Sequence, residues 1–548
     1  MVKANILEMK KTVAVIGAGS SGLAAIKSCK EEGIDVVCFE KTNRIGGLWH
    51  YDGDKSEAVT VMKSTVINTH KEMSAFSDFP PPSHFPNFMH NLQIRQYFLM
   101  YAENFGLLPH IQYNHEVVSI SKSSDYDETG KWKIVFKIFP EEKEFEKIFD
   151  GVMLCNGHHA RPKIPQLPGQ RNFMGRMIHS QSLKVPDAFK DLNVLVIGIG
   201  NSGVDSAIEL SNVAKQVYLS TRRGSWIFTR CGPYGLPLDI LLGNRVFNLV
   251  MKLSWRCASW MLENFILENK FDHSFYGLKP KHQVLSQHPT VNDCLPSRIL
   301  AGRINIKGDI ETFLMNGVLF RGETSVTPID AVIFATGYNI QFPFLKESIL
   351  NSTNNKVELY KLTFPPNLKH PTLAVIGLIQ PFGAIFPIAE AQSRWFAQLM
   401  NRKTSLPDYE TMINEIHRRR KAMEDRYVDS TRHTIQVDFI DFMDDVTREF
   451  GATPNMWKLL LTDPKLFFAC LLGPGLPYQY RLNGPHSWSK ARETILNFPS
   501  RVAQPLTNEI SRPRYGFLTP FRLLNLLSVW KIITVIIVVV LIFQLCLS

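Results

Sequence analysis

The chain has 548 residues, of which 45% are hydrophobic and 11% aromatic. This length and apolar content predict two or more packed domains and exclude an intrinsically disordered protein. The formal net charge of +11 comes without a long Lys/Arg run. We therefore expect no nucleic-acid partner, and a modest attraction to a membrane surface instead.

The eight cysteines contain no C-x-x-C pair. Their spacing predicts neither a disulfide framework nor a zinc site, so we expect no metal. Small buried hydrophobic side chains are the simpler interpretation, because several cysteines fall within apolar strand or helix patterns.

A dinucleotide-binding turn opens the chain. An apolar run over 12–16 ends in Gly-x-Gly-x-x-Gly, a helical pattern follows, and the next short strand ends in Glu40. In this context the glycines permit a tight turn, a close approach to a pyrophosphate and close packing of helix on strand. A carboxylate at the second strand end accepts hydrogen bonds from ribose hydroxyls. The residues predicted to bind this nucleotide are Gly17, Ala18, Gly19, Ser20, Ser21, Gly22 and Glu40.

Paired glycines and an aromatic residue follow soon after that acid. Gly47, Leu48 and Trp49 would let the backbone pass along the cofactor, although a glycine turn with a core tryptophan explains the same pattern. Further along, the pattern predicts a helix over 92–105 and strands within 116–138.

The opening motif recurs beyond a proline-punctuated boundary. An apolar run over 194–197 leads into a second Gly-x-Gly-x-x-Gly and a second helix pattern. At the position equivalent to Glu40 stands Thr221, followed by Arg222 and Arg223. A carboxylate repels a 2′-phosphate, whereas a hydroxyl and a guanidinium bind it. The residues predicted to bind NADPH here are Gly198, Gly200, Asn201, Ser202, Gly203, Val204, Asp205, Thr221 and Arg222.

Three later stretches complete the pattern. The sequence pattern over residues 226–290 predicts a helical insertion that either covers a substrate tunnel or lies on a membrane. Residues 331–338 predict a strand that returns the chain to the first domain. Residues 532–547 are almost wholly apolar and predict a membrane tail that either spans or embeds.

With Phe-x-Gly-x-x-x-His-Ser over 173–180 and Phe-Ala-Thr-Gly-Tyr over 334–338, the chain resembles the vertebrate flavin-containing monooxygenases over nearly its whole length. Segments 285–290 and 432–436 resemble most the fifth vertebrate isoform or a close paralogue. The resemblance implies an α/β fold with two Rossmann-like dinucleotide-binding domains, the second inserted in the first, and a C-terminal membrane-associated helix. The expected divisions are 1–163 and 331–452 for FAD, 164–330 for NADPH, 453–515 as a C-terminal extension and 516–548 as the membrane tail.

The resemblance also implies a mechanism. FAD on the first turn would be reduced by NADPH on the second and would react with O2 to a C4a-hydroperoxide. That species oxygenates nucleophilic N or S atoms of lipophilic small molecules. The family pattern places Asn68 at the flavin as the catalytic residue, with Ile67 and Thr69 beside it, and Gln380 and Trp49 along the ring. His179 is given a linking part between the domains.

One departure from the family pattern keeps alternatives open. Leu183 stands where family members usually carry Tyr and Baeyer–Villiger relatives Trp, so NADP handling can differ. Baeyer–Villiger oxidation of ketones and an NADPH oxidase releasing H2O2 are therefore the competing functions. The expected location is the endoplasmic reticulum membrane with catalytic domains facing the cytosol, and a homo-oligomer is compatible with the sequence.

Overall fold

The computed structural model describes residues 10–53, 59–141 and 143–506. The predicted membrane tail, 516–548, lies outside the described residues. Within the described ranges, no helix combines the length and the apolar character needed to cross a membrane.

The first sheet has five parallel strands and contains the first glycine turn. Apolar runs form its central strands, which are buried on both faces as expected for a parallel sheet. In spatial order the strands are Leu373–Val375, Gly151–Leu154, Thr12–Ile16, Asp35–Phe39 and Ile111–Gln112. The edge strand 373–375 follows the entire second sheet in the chain, so the first half is discontinuous.

The second sheet repeats this architecture and carries the second glycine turn. Its five parallel strands, in spatial order, are Ile304–Lys307, Gln216–Ser220, Asn193–Ile197, Ala331–Phe334 and Arg176–His179. Two parallel sheets with helices packed on them confirm the expected pair of Rossmann-like units.

One strand lies in a different sheet from the one predicted. Ala331–Phe334 pairs with Asn193–Ile197 and Arg176–His179 in the second sheet, so the expected return to the first domain at residue 331 is wrong. A fully buried apolar strand has no feature that identifies its sheet, because both sheets bury such runs equally well. The second half therefore extends past Phe334, while the other expected boundaries stay predictions.

Smaller sheets surround the two main ones. A three-stranded antiparallel sheet lies in each half, and the stretch 226–290 is bounded by a short parallel pair. The three-stranded sheets are His115–Lys122, Trp132–Ile138 and Lys143–Phe149, and Ile310–Leu314, Gly317–Phe320 and Thr327–Pro328. The two-stranded pairs are Ile227–Phe228 with Thr290–Val291, Arg161–Pro162 with Tyr338–Asn339, Ser352–Thr353 with Lys356–Val357, and Gln380–Phe382 with Gln436–Asp438.

Helices cover the sheets and build the C-terminal extension. Phe386–Met400 is buried along its whole length and packs on Ser20–Glu31. The remaining α-helices are Asn91–Asn104, Tyr126–Thr129, Asn201–Leu210, Leu238–Leu242, Arg245–Met261, Leu295–Leu300, Tyr409–Arg426, Phe439–Arg448, Met456–Thr462, Pro464–Leu472, Ala491–Leu496 and Phe498–Ala503. A π-helical stretch, Leu262–Leu267, continues 245–261. Short 3-10 helices are Gly47–Trp49, Leu108–His110, Gln170–Asn172, Ser180–Ser182, Asp187–Phe189, Pro233–Gly235, Val284–Ser286, Pro477–Arg481 and Gln504–Leu506.

A cluster of buried charges fastens the C-terminal extension to the first half. Arg481 has no exposed surface, and its guanidinium lies 2.9 Å from Glu390, 3.1 Å from Glu31 and 3.2 Å from Asp78. Lys27 pairs with Glu31 at 2.9 Å and also with Asp78. The opposite charges and hydrogen bonds make this burial tolerable. We call Lys27, Glu31, Asp78, Glu390 and Arg481 the buried charge cluster.

Candidate active site

The first glycine turn is shaped for a close approach of backbone atoms. Gly17 has φ +100°, and a Cβ there would lie 2.8 Å from the carbonyl oxygen of Cys155. A Cβ at Gly22 would lie 1.9 Å from the carbonyl oxygen of Gly17, so only glycine lets the helix approach the strand. The helix Ser20–Glu31 begins with no side-chain cap and no acid in its first turn. Its N-terminus therefore suits an anionic pyrophosphate.

Glu40 is buried and fixes the turn. Its carboxylate accepts hydrogen bonds from the backbone N–H of Ala18 at 2.8 Å, and from the N–H and hydroxyl of Thr42 at 2.8 and 2.7 Å. A carboxylate has about four lone-pair sites, so capacity remains for a ribose hydroxyl. The carboxylate thus has a structural task in addition to the predicted ribose contact.

The paired glycines after Glu40 run alongside the turn. The N–H of Gly46 donates to the carbonyl of Ala18 at 3.0 Å, and a Cβ at Gly47 would lie 3.2 Å from the Cα of Gly19. Trp49 packs edge-on against Phe386, with ring centroids 6.4 Å apart. The structure thus brings Gly47 to the turn, while Trp49 is partly a core side chain.

The second turn repeats the geometry of the first. Gly198 has φ +109°, and a Cβ at Gly203 would lie 1.9 Å from the carbonyl oxygen of Gly198. The helix Asn201–Leu210 also begins without a side-chain cap or an acid in its first turn. This helix N-terminus is likewise open to an anion.

Three residues predicted at the second turn have other partners. The Asn201 carboxamide accepts from the N–H of Val291 at 2.7 Å and therefore holds the base of the insertion. Val204 is fully buried in the second core, and its N–H donates to the carbonyl of Gly200. Asp205 accepts from Asn292 at 3.1 Å, and burial raises its pKa to about 6, opposed by Arg230. These contacts hold the turn in shape.

A large cavity lies beside the end of strand Gln216–Ser220. Its volume is about 1590 Å³, and its lining includes Thr221, Arg222 and Arg223 together with Lys279 and Lys281. Arg222 and Arg223 are exposed, and within the described part of the chain neither forms an ion pair. Cations without a protein anion fit a 2′-phosphate. Both turns therefore fit their expected nucleotides.

Asn68 meets a cation from the second half, a contact that sequence reasoning missed. Its carboxamide oxygen accepts a hydrogen bond from Arg230 at 2.7 Å. Arg230 in turn pairs with Asp293 at 2.9 Å, and its Nε atom is buried without a hydrogen-bond partner. No local signal in the sequence marks Arg230.

The backbone around Asn68 is fixed on both sides. The N–H of Ile67 donates to the carbonyl of Met89 at 2.9 Å, and the N–H of His70 donates to Asp239 at 2.6 Å. Burial raises the pKa of Asp239 to about 6. Thr69 lies between these two hydrogen-bonded residues, so the backbone of residues 67–70 is held in place.

The remaining predicted residues lie between the two halves. Gln380 donates its N–H to the carbonyl of Ile435 at 2.8 Å and begins a short parallel strand beside 436–438. The His179 Nδ1 atom accepts from the N–H of Gln181, so Nε2 donates to the carbonyl of Gly337 at 3.1 Å. Burial lowers the pKa of His179. Leu183 is buried in the second core.

Comparison with known proteins decides the family. The family model described as "FMO-like: Flavin-binding monooxygenase-like" matches residues 10–544. The chain belongs to this family. It is a flavin-containing monooxygenase that uses FAD and NADPH.

The chain aligns with its sequence relatives over nearly the whole length of both. Flavin-containing monooxygenase 5 from Rattus norvegicus is 48% identical over 91% of this chain and 94% of the relative. Flavin-containing monooxygenase 2 from Homo sapiens is 41% identical over 95% and 98%. The solved structure of S-allyl-L-cysteine S-oxygenase from Allium sativum aligns with TM-score 0.60 and 23% identity, over 80% of this chain and 88% of that chain. This structure is similar in fold, and the sequence relatives confirm the likeness to the fifth isoform.

Proposed function

We propose that FAD binds at the first glycine turn, that NADPH binds at the second, and that the enzyme oxygenates nucleophilic N or S atoms of lipophilic small molecules. The observation that carries this proposal is the contrast between the two turns. Glu40 stands at the ribose position of the first turn, whereas Thr221 stands at the equivalent position of the second and is followed by Arg222, which forms no ion pair among the described residues. The N-oxide-forming and S-oxygenase names of similar proteins support the choice of heteroatoms.

When bound, FAD accepts a hydride from NADPH and activates O2. The chain's own residues bind and orient the cofactors and the substrate, and they exclude water from the site. Asn68 presents a neutral carboxamide whose oxygen is occupied by Arg230, which leaves its N–H2 group to donate toward the flavin. A neutral amide donates a hydrogen bond without giving up its proton. Asn68 would therefore orient a bound oxygen species without protonating it. Asn68 is the catalytic residue in this proposal.

The test is a product balance with the purified, flavin-loaded enzyme. NADPH consumption, H2O2 release and product formation are measured with a thioether, a tertiary amine and a ketone of similar size. We expect S-oxide or N-oxide in a near one-to-one ratio to NADPH. Ester from the ketone as the main product would favour Baeyer–Villiger oxidation. H2O2 equal to NADPH with every substrate would overturn the oxygenase proposal and favour the oxidase.

We further propose that the enzyme resides on the endoplasmic reticulum membrane with its catalytic halves in the cytosol. The apolar run 532–547 supports this location. A second support is an apolar surface on two helices in contact, 245–261 with its continuation 262–267, and 464–472 with the preceding 456–462. Its exposed side chains are Leu249, Leu253, Trp260, Phe265, Trp457, Leu461 and Phe468. Arg256, which is exposed on the same helix, suits anionic headgroups, whereas Lys252 pairs with Asp441 at 2.6 Å.

Fractionation of cells that express the full chain and a chain lacking 516–548 tests the location. We expect the full chain in the microsomal membrane fraction, accessible to protease from the cytosolic side. The shortened chain should retain partial binding to anionic vesicles through the apolar surface. Full-length protein found in the soluble fraction would contradict the proposal.

A further inference from the structure

One arginine outside the two Gly-x-Gly-x-x-Gly motifs, Arg432, lies against the second glycine turn. A Cβ at Gly200 would be 2.5 Å from Nη2 of Arg432, and a Cβ at Gly337 would be 3.8 Å from its Cγ. Gly200 immediately precedes the uncapped helix Asn201–Leu210. The aliphatic part of the arginine therefore passes Gly337, and its guanidinium reaches the N-terminus of the helix.

The guanidinium of Arg432 has no anion to neutralise it. Within the described ranges, no carboxylate lies within 4.0 Å of it. Neighbouring protein atoms displace part of the water around the guanidinium, and this desolvation, together with the nearby charge of Arg222, lowers the pKa of Arg432. The residue as a whole remains exposed. Arg222 and Arg432 carry like charges that repel each other, and a bound anion near them would offset that repulsion.

The neighbouring histidines do not supply charge of the opposite sign either. Burial lowers the pKa of His159 to about 4, and Arg432 lowers it as well. Burial also lowers the pKa of His288 to about 4. A hydrogen bond that its Nδ1 atom donates to the amide oxygen of Gln436 opposes this shift, and the charge of Arg432 reinforces it. Both rings are neutral at physiological pH. Among the described residues, neither these two rings nor Arg222 offers the guanidinium of Arg432 a negative charge.

The loop that carries Arg432 is held in place. The carbonyl of Thr431 accepts from Asn355 at 3.0 Å, and its hydroxyl accepts from Lys163 at 2.6 Å. The N–H of Arg432 donates to the hydroxyl of Ser430 at 3.2 Å. The side chain therefore starts from a fixed point, which lowers the entropy lost when it binds a ligand.

We propose that Arg432 binds the pyrophosphate of NADPH at the second turn, while Thr221 and Arg222 bind the 2′-phosphate. Arg432 follows the last strand of the first sheet in the chain, and Arg222 belongs to the second half. One bound nucleotide therefore contacts both halves. This inference rests on the assignment of NADPH to the second turn proposed above.

The two phosphate groups can be tested separately by direct binding. We would measure dissociation constants by calorimetry for NADP⁺, which carries both groups, and for adenosine 2′-monophosphate, which lacks the pyrophosphate. The full-length, FAD-loaded chain is compared with R432Q, R432K and R222Q. R448Q serves as the control, because it removes one exposed charge on a helix that does not line the cavity.

We expect R432Q to weaken NADP⁺ binding about tenfold or more, the loss of a charge-assisted hydrogen bond, and to leave adenosine 2′-monophosphate binding unchanged. R432K should restore part of the affinity for NADP⁺. R222Q should weaken both ligands, and R448Q neither. FAD content and melting temperature of each variant verify that it is folded.

The contrary outcomes are distinct. Equal weakening of both ligands by R432Q would place Arg432 at the 2′-phosphate and overturn the inference. Unchanged NADP⁺ binding in R432Q, with R222Q impaired, would also overturn it while leaving the second turn as the NADPH site. If R222Q and R432Q both bind NADP⁺ normally, the proposed NADPH site itself is wrong.

Discussion

Asn68 and Arg230 join the two halves through a single hydrogen bond of 2.7 Å. Arg230 donates to the carboxamide oxygen of Asn68 and thereby fixes the direction in which the amide N–H2 group donates. Asp293 holds the arginine at 2.9 Å. The orientation of the proposed catalytic amide is therefore set by the second half, the part that also carries the second turn.

Replacing the amide of Asn68 should impair catalysis. We expect Asn68→Ala to lower the turnover rate roughly 10²–10³-fold, by analogy with the loss of a donor to a developing oxyanion, and to raise the H2O2 released per NADPH. Steady-state kinetics with a thioether measures both. Asn483→Ala, which removes a half-buried amide of the C-terminal extension that donates to the carbonyls of Gly451 and Thr453, is the control. A fully flavin-loaded Asn68→Ala enzyme with normal rate and coupling would contradict the role.

Asp205 gives a pH-dependent stability prediction. Its pKa is raised to about 6 by burial, so the folded state holds a proton that the unfolded state releases above its ordinary value of about 4. Stability from this group is therefore lost as pH rises toward 6. We expect Asp205→Asn to be more stable than the wild type, with a difference that grows by about 1 kcal/mol between pH 5 and pH 8.

Urea unfolding at the two pH values measures that growth. Asp309→Asn, at a half-exposed carboxylate of the same half, serves as the control and should show no such trend. An Asp205→Asn effect equal at both pH values would show that hydrogen bonding, not ionisation, governs this site.

Residues with long-range partners are the ones that sequence reasoning missed. Glu40 and the contrast with Thr221 follow from positions counted along the chain, because each lies in the same βαβ unit as its turn. Arg230 and Arg432 reach their sites from segments far away in sequence, and a lone arginine carries no periodic signal. Their roles become visible only when both halves are folded together.

At the scale of elements, the two glycine turns were predictable because their geometry is local. A Cβ at Gly22 or Gly203 would strike the carbonyl of its own turn at 1.9 Å. The strand Ala331–Phe334 was predicted in the wrong sheet, since pairing partners are not encoded in an apolar run. The short strand beginning at Gln380 was likewise outside the reach of sequence reasoning.

A substitution at the first turn should affect FAD retention. In Gly22→Ala the new methyl group would overlap the carbonyl oxygen of Gly17, so the helix must move away from the strand. We expect a purified protein with most of its FAD lost, measured as the ratio of flavin to protein absorbance. Gly308→Ala is a matched control, because a Cβ there meets nothing within 4 Å. Equal FAD content in both variants would contradict the proposed FAD site.

At the scale of the whole molecule, the buried charge cluster connects the C-terminal extension to the first half through the ion pairs of Arg481. Burial raises the pKa of Asp78, but the charges of Arg481 and Lys27 outweigh it and hold that pKa below its usual value. Asp78 is thus ionised at neutral pH. The cluster fastens the extension to the far end of the helix that starts at the first turn.

Removing the central guanidinium should be costly. We expect Arg481→Gln to lower the free energy of unfolding by about 3–5 kcal/mol, because Glu31, Asp78 and Glu390 would share too few positive partners in a buried place. Arg492→Gln removes the same group from an exposed pair with Asp463 and should cost about 0–1 kcal/mol. Urea titration of both variants measures the contrast. Similar midpoints would show that the cluster contributes little net stability.

The discontinuity of the first sheet has a consequence for biosynthesis. The ribosome releases strand Thr12–Ile16 first, but its sheet is completed only by Leu373–Val375 and the buried helix Phe386–Met400. Every strand of the second sheet emerges earlier, so that sheet can close while the first still lacks its edge. The half that begins the chain is therefore the last to finish folding. In a nascent chain, the sheet that carries the proposed FAD turn is complete only after translation has passed Met400.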